Sequence, residues 1–162
     1  FGTSAAYPLA MISPPARNFL NSTFVNVKSL RDIEGEPILE IHADDAQARA
    51  IQSGDVVRVF NQRGEYHCKV KISPRARPGV VNGLGIWWRK LGLAGTNVNQ
   101  LTSQKLTDMG RGPTFYDCLV EVVLAKWASS PRRIYTYHYY LYSKSHYSPN
   151  GFDIDVVDAP RA

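Results

Sequence analysis

The segment from Ser13 to Thr23 carries Arg17, Asn18, Asn21, Ser22 and Thr23 behind the Pro14–Pro15 pair. Two prolines fix φ and stiffen the exit from whatever precedes them. The Asn, Ser and Thr side chains supply both donors and acceptors within a few residues. Such a set suits a large, polar, phosphate-bearing ligand better than a metal ion or a nucleophile's target. The same composition also suits an ordinary surface connection. A second polar set, Asn97, Asn99, Thr102, Ser103 and Gln104, lies in an irregular stretch over 90–114 with Gly92, Gly95, Gly110 and Gly112. A loop of that length inside a compact domain is usually either functional or disordered.

Other chemistries are poorly supplied. Cys68 and Cys118 are far apart and stand among apolar or β-prone neighbours, so both read as free buried thiols. His42, His67, His138 and His146 are scattered, with no pair at helical or turn spacing, and no metal site is expected in the chain. Asp44, Asp45 and Asp55 stand beside helix or strand ends and read as structural. The net charge of +5 comes without a dense basic footprint, which argues against nucleic-acid binding. No apolar run reaches the roughly 18 residues of a membrane span. The opening residues lack the basic start and apolar middle of a signal peptide. This leans the reading towards a cytoplasmic protein. A first residue of Phe1 rather than methionine suggests a piece of something longer, whose missing part could have carried any such signal.

The elements that must position these residues are mostly strands. Pro8 to Ile12 reads as a short apolar strand, and Leu39 to His42 alternates as a half-buried one. Ala43 to Ala50 is rich in helix formers, with Asp44 and Asp45 at its start and Gly54 expected to supply the left-handed stop. Asp55 to Phe60 and Glu65 to Ile72, joined through Asn61–Gly64, read as a hairpin. Gly79 to Leu84 and Asp117 to Leu124 supply two more strands. Many short strands, few helices and Gly/Pro-rich turns in 162 residues imply a mainly β, closed barrel. From residue 126 the composition changes: Tyr135, Tyr137, Tyr139, Tyr140, Tyr142 and Tyr147 crowd a short stretch with few aliphatic neighbours. We read 126–162 as an irregular C-terminal appendage, disordered or non-native, after a domain over 1–125.

Several segments match one pattern in order and spacing. They are Leu9 to Ser22, Ile41 to Ala46, Ile51 to Val59, Asn61 to Gly64, Ala76 to Val81, Gly85 to Trp88, Asn97 to Thr102 and Phe115 to Val122. Together they resemble the C-terminal dinucleotide-binding domain of molybdopterin oxidoreductases of the dimethyl sulfoxide reductase family. The resemblance implies a double-psi β-barrel that helps hold molybdopterin guanine dinucleotide, which carries molybdenum or tungsten. Carried over by position, Ser13, Asn18, Asn21 and Ser22 would face the pterin and pyrophosphate. Arg17 is the candidate for a charge-assisted contact with the pyrophosphate. Asn99 and Thr102 would meet the polar rim of the pterin, with Phe115 and Tyr116 lining the same cleft. Of the Trp87–Trp88 pair one would pack in the core, for which Trp87 is favoured, and Trp88 would touch the cofactor. The resemblance further implies that any iron–sulfur cluster and the metal's protein ligand lie in earlier parts of a longer subunit. The remaining domains of that subunit would be the partners, and the present polypeptide would be inactive alone. The rival reading is a stand-alone double-psi barrel acting as a binding or adaptor module without redox activity.

Overall fold

A computed structural model describes residues 5–116 and 118–126. The expected appendage over 126–162, with its tyrosine-rich stretch, therefore lies outside the described residues, Lys126 apart. Six strands form one closed barrel: β1 (Leu9–Ile12), β2 (Ile38–Ile41), β3 (Val56–Asn61), β4 (Gly64–Ile72), β5 (Val80–Gly83) and β6 (Leu119–Leu124), in the spatial order β1-β5-β2-β4-β3-β6. Two pairs are parallel, β1 with β5 and β2 with β4, and the other four are antiparallel. This is the double-psi barrel expected from the sequence.

Alternation builds it. Leu9 and Met11 of β1, Val57 and Val59 of β3, and Val120 and Val122 of β6 are buried, while the residues between them are more exposed. Their apolar side chains fill the barrel with Leu39, Ile41, Tyr66, Cys68, Val70 and Val81. The hairpin forms as expected, with Asn61 opposite Gly64 and Gln62–Arg63 as its tip. Cys68 and Cys118 are free and buried, and burial pushes the Cys68 thiol up to about 12. The Cys68 thiol is therefore protonated at neutral pH.

The strand directions fix which loops share an end. Because β1 and β5 are parallel, the chain leaves both at the same rim, after Ile12 and after Gly83. Antiparallel pairing puts the start of β2 there, and parallel pairing the start of β4. The β3–β4 tip and the start of β6 follow by the same rule. One rim thus gathers residues 13–37, 62–63 and 84–118, and the other gathers 42–55 and 73–79. Every site residue proposed from the sequence lies on the first.

Two helices accompany the barrel: α1 (Lys28–Glu34) and α2 (Ala43–Gln47). The first carries no sequence signal for its start, since Val27 stands at the cap without a side-chain hydrogen bond and no acid occupies the first turn. The second ends earlier than expected. Its stop is made by Ala50, at φ +52°, whose N–H donates to the Gln47 carbonyl (3.1 Å) while Ile51 N–H reaches the Ala46 carbonyl (3.0 Å). These are the two bonds of a Schellman closure. Gly54, at φ +94°, serves the next turn instead.

Burial also lowers the proton affinity of His67 on β4, Glu65 pulling it partly back and Arg58 adding to the drop. The unfolded chain takes up this proton near the ordinary value of 6.5 and the folded chain only at lower pH. Stability is then full above pH 6.5 and falls as pH drops below it. Urea midpoints measured between pH 7.5 and 5 should decline through that window, and His67→Gln should flatten the decline.

Candidate functional site

The loop after β1 is held by a small core of its own. Ala16, Phe19, Val25 and Trp87 are buried together, with Leu30, Trp88 and Leu91 packed against them. Phe19 meets Trp87 edge-on, ring centroids 5.2 Å apart. Trp88 Nε1–H donates to the Ser22 carbonyl at 2.7 Å, so the ring expected to touch cofactor fastens the loop tip. Lys90 Nζ stands 5.1 Å from the centroid of the same ring. At that tip Asn21 has φ +53°, a left-handed conformation that Asn tolerates. Asn18 is anchored from behind: its backbone N–H and its Nδ2 both donate to Glu34 Oε1 of α1, at 2.6 and 2.8 Å. Arg17, Asn21 and Ser22 are exposed, and Ser13 is half-buried. The loop is also pinned to the chain leaving β5. Gly85 N–H donates to the Pro14 carbonyl at 2.9 Å, and a Cβ at Gly85 would stand 3.0 Å from Ala16 Cβ.

The 97–102 segment is a 3-10 turn over Val98–Gln100, capped at both ends. Asn97 Oδ1 accepts from Asn99 N–H (3.2 Å), Gln100 Oε1 accepts from Asn97 N–H (3.3 Å), and Thr102 Oγ1 donates to the Asn99 carbonyl (3.2 Å). These bonds use only the backbone of Asn99. Its carboxamide is exposed and takes no protein partner among the described residues. Asn97 Nδ2 donates to the Trp87 carbonyl at 3.0 Å, which ties this turn to the tryptophan pair and so to the 13–22 loop.

An open groove runs along this turn, lined by Gln62, Arg63 and Gly64 of the hairpin tip, by Asn99 and Gln100, and by Thr102 to Lys105. Asn61 ties the segments that line it together. Buried at the end of β3, it donates through Nδ2 to the carbonyls of Leu101 (3.0 Å) and Leu119 (3.1 Å), and its Oδ1 accepts from Arg63 N–H (2.8 Å). Arg63 Nε adds a bond to the Leu101 carbonyl at 2.7 Å. The lining offers carboxamides, hydroxyls, Arg63 and Lys105, and no carboxylate lines it among the described residues. Beyond it, residues 105–114 form a loop closed by Thr114 Oγ1 on the Lys105 carbonyl (2.8 Å). Phe115 and Tyr116 follow, ring centroids 4.3 Å apart, and neither lines the groove.

The structure thus brings Asn99 and Thr102 together in one groove, and Ser22 together with Trp88 in one hydrogen bond. The 13–22 loop shares the rim but does not line that groove. Gln62, Arg63, Gln100, Ser103, Gln104 and Lys105 were not singled out from the sequence as site residues. Gln62 and Arg63 read there only as a turn, and the turn reaches the groove only because the barrel closes.

A family model described as Molydopterin dinucleotide binding domain matches residues 9–119. The chain belongs to that family. Its cofactor is accordingly molybdopterin guanine dinucleotide with molybdenum. This Molydopterin dinucleotide binding domain is 37% identical over 120 residues to dimethyl sulfoxide reductase DmsA of Escherichia coli (strain K12), covering 72% of the present chain. It is 34% identical over 121 residues to the DmsA of Haemophilus influenzae, again covering 72%. The chain spans 15% of the length of each reductase. Among solved structures, acetylene hydratase from Pelobacter acetylenicus superposes with a TM-score of 0.65 at 19% identity, over 74% of this chain and 18% of that one. That likeness supports the barrel fold. The donor set described above fits the cofactor, since a pterin edge asks for amides and hydroxyls and a pyrophosphate for N–H and cationic donors.

Proposed function

We propose that this barrel is the cofactor-holding part of a larger molybdenum-dependent oxidoreductase, and that its 13–37/84–118 rim is the holding surface. When bound, the cofactor supplies the redox-active metal, and the protein's share is binding, orientation and hydrogen bonding. In this reading Asn99 and Thr102 meet the polar edge of the pterin, with Gln62, Gln100 and Gln104 as further amides. Ser13, Asn21 and Ser22 offer hydroxyls, an amide and backbone N–H groups to the pyrophosphate side, and Arg17, Arg63 and Lys105 are the cations on hand for its charge. Asn18 acts at one remove, fixing the loop through Glu34. Phe115 and Tyr116 stand on the same rim, outside the groove. The remaining domains of the subunit complete the pocket, so the polypeptide alone is inactive.

One observation carries this reading: a carboxylate-free groove of amides, hydroxyls and two cations opens on the same rim as the 13–22 loop. Its test is Asn99→Ala in the full-length parent enzyme. The side chain is exposed and both backbone bonds survive, so stability should change by less than about 0.5 kcal/mol. Molybdenum and pterin per polypeptide, measured under limiting cofactor supply, should fall about tenfold. Wild-type loading in that variant would contradict the assignment.

A further inference from the structure

The rim that holds the groove also carries four large apolar side chains that stand exposed among the described residues. Leu20, Phe24, Val27 and Ile33 are 62%, 45%, 37% and 69% exposed within one short stretch of chain. The stretch is well built. Leu20 and Thr23 exchange backbone hydrogen bonds at 3.2 and 2.8 Å, Val27 N–H donates to the Phe24 carbonyl at 2.9 Å, and Arg31 NH1 donates to the Val25 carbonyl at 2.9 Å.

Two features are out of balance with a solvent-facing role. First, α1 has no fully buried residue, although an isolated helix of seven residues is far too short to persist in water. Leu30 supplies its partly buried contact, and Ile33, one turn further on, is left outward. Second, Phe24 sits at φ +73°, a conformation disfavoured for any side chain larger than glycine's, and this strained backbone directs an aromatic ring outward. Large apolar side chains left exposed together along one short, well-built stretch of chain mark an interaction site.

The relatives say how much chain there is to cover it. The two reductases are 15% covered by this chain, so most of such a protein lies outside it. The charges beside Ile33 are already engaged within this chain, Asp32 with Lys28 at 2.6 Å, Glu34 with Asn18 and Arg31 with the Val25 carbonyl. We propose that Leu20, Phe24, Val27 and Ile33 dock against an apolar surface of another domain of the same parent polypeptide, outside residues 1–162. This rests on the reading of the chain as part of a larger oxidoreductase. It adds that α1 and the 20–27 turn join the barrel to the rest of the subunit beside the cofactor.

The test places the photo-crosslinking amino acid benzoyl-phenylalanine at Ile33, and separately at Leu20, in the full-length parent enzyme. Both sites are exposed, so either variant serves if the other expresses poorly. After irradiation, crosslinked peptides are identified by mass spectrometry and molybdenum is measured in the same samples. The expected result is an intramolecular crosslink from each position to peptides outside 1–162, lost when the label is moved to Ile72 on the opposite rim. Crosslinks to residues 127–162, crosslinks between two copies of the subunit, or no crosslink at either position would overturn the proposal. Wild-type molybdenum with no crosslink would defeat the docking surface and leave the cofactor reading standing; the converse result would do the opposite.

Discussion

Asn61→Asp is expected to lower the unfolding free energy by roughly 3 kcal/mol or more, read from urea melts of the wild type and variant. The substitution keeps the size of the side chain and the Oδ1 acceptor for Arg63 N–H. It removes the amide donor that satisfies the carbonyls of Leu101 and Leu119, and sets a carboxylate against both. At 7% exposure there is little water to replace those bonds. The Leu101 carbonyl keeps its bond from Arg63 Nε, but the Leu119 carbonyl loses the Asn61 donor; that loss costs about 1–3 kcal/mol, and burying a charge against both carbonyls adds to it unless the group takes up a proton. A proton would restore one donor, so the deficit should shrink towards acid pH. Asn61→Ala, which lacks the charge, should show no such recovery. The damage also reaches the groove, since Asn61 joins the hairpin tip, the 97–102 turn and the start of β6.

Gly85→Val should be comparably harmful, for two separable reasons. Gly85 adopts φ +73°, which costs an ordinary residue about 1–2 kcal/mol and a β-branched one more. A side chain there also meets Ala16 Cβ at 3.0 Å and Phe19 Cδ2 at 3.5 Å, in the small core beneath the 13–22 loop. Crowding of that kind adds about 1–3 kcal/mol. The total expected is about 3 kcal/mol, with loss of the Gly85–Pro14 bond and displacement of the loop. Gly35→Ala isolates the first term. Gly35 has a similar φ of +79° but nothing within 4 Å of its missing Cβ. It should cost only that backbone term, about 1–2 kcal/mol. Equal losses for Gly35→Ala and Gly85→Ala would show that close approach to Ala16 contributes nothing.

Much of the barrel could be read from the chain because period-2 alternation is strong in 55–72 and 117–124, and because Asn61–Gly64 is unambiguous turn chemistry. The helix α1 could not. It lacks a capping residue and is held by contacts made at a distance, Asn18 to Glu34 and Arg31 to the Val25 carbonyl. The same tertiary contact takes the backbone N–H and Nδ2 of Asn18, whose partner on α1 the sequence did not reveal. Within the groove, Asn99 and Thr102 were legible as members of a polar set in a glycine-rich stretch. Arg63 and Lys105 were not, because a turn residue and a loop lysine acquire meaning only when β3, β4 and the 97–105 chain meet at one rim. Trp88 shows the reverse. Its type and position suggested a surface for the cofactor, whereas its Nε1–H is spent on Ser22.

The central claim is that one rim of the barrel, and not the other, holds molybdopterin guanine dinucleotide. Hydrogen–deuterium exchange of the full-length parent enzyme, compared between cofactor-loaded and cofactor-free preparations, tests it most directly. The expected result is cofactor-dependent protection of residues 13–22 and 97–105, with 42–50 and 73–79 at the opposite rim exchanging alike in both. Protection confined to 42–50 and 73–79, or no difference anywhere in the barrel, would contradict it.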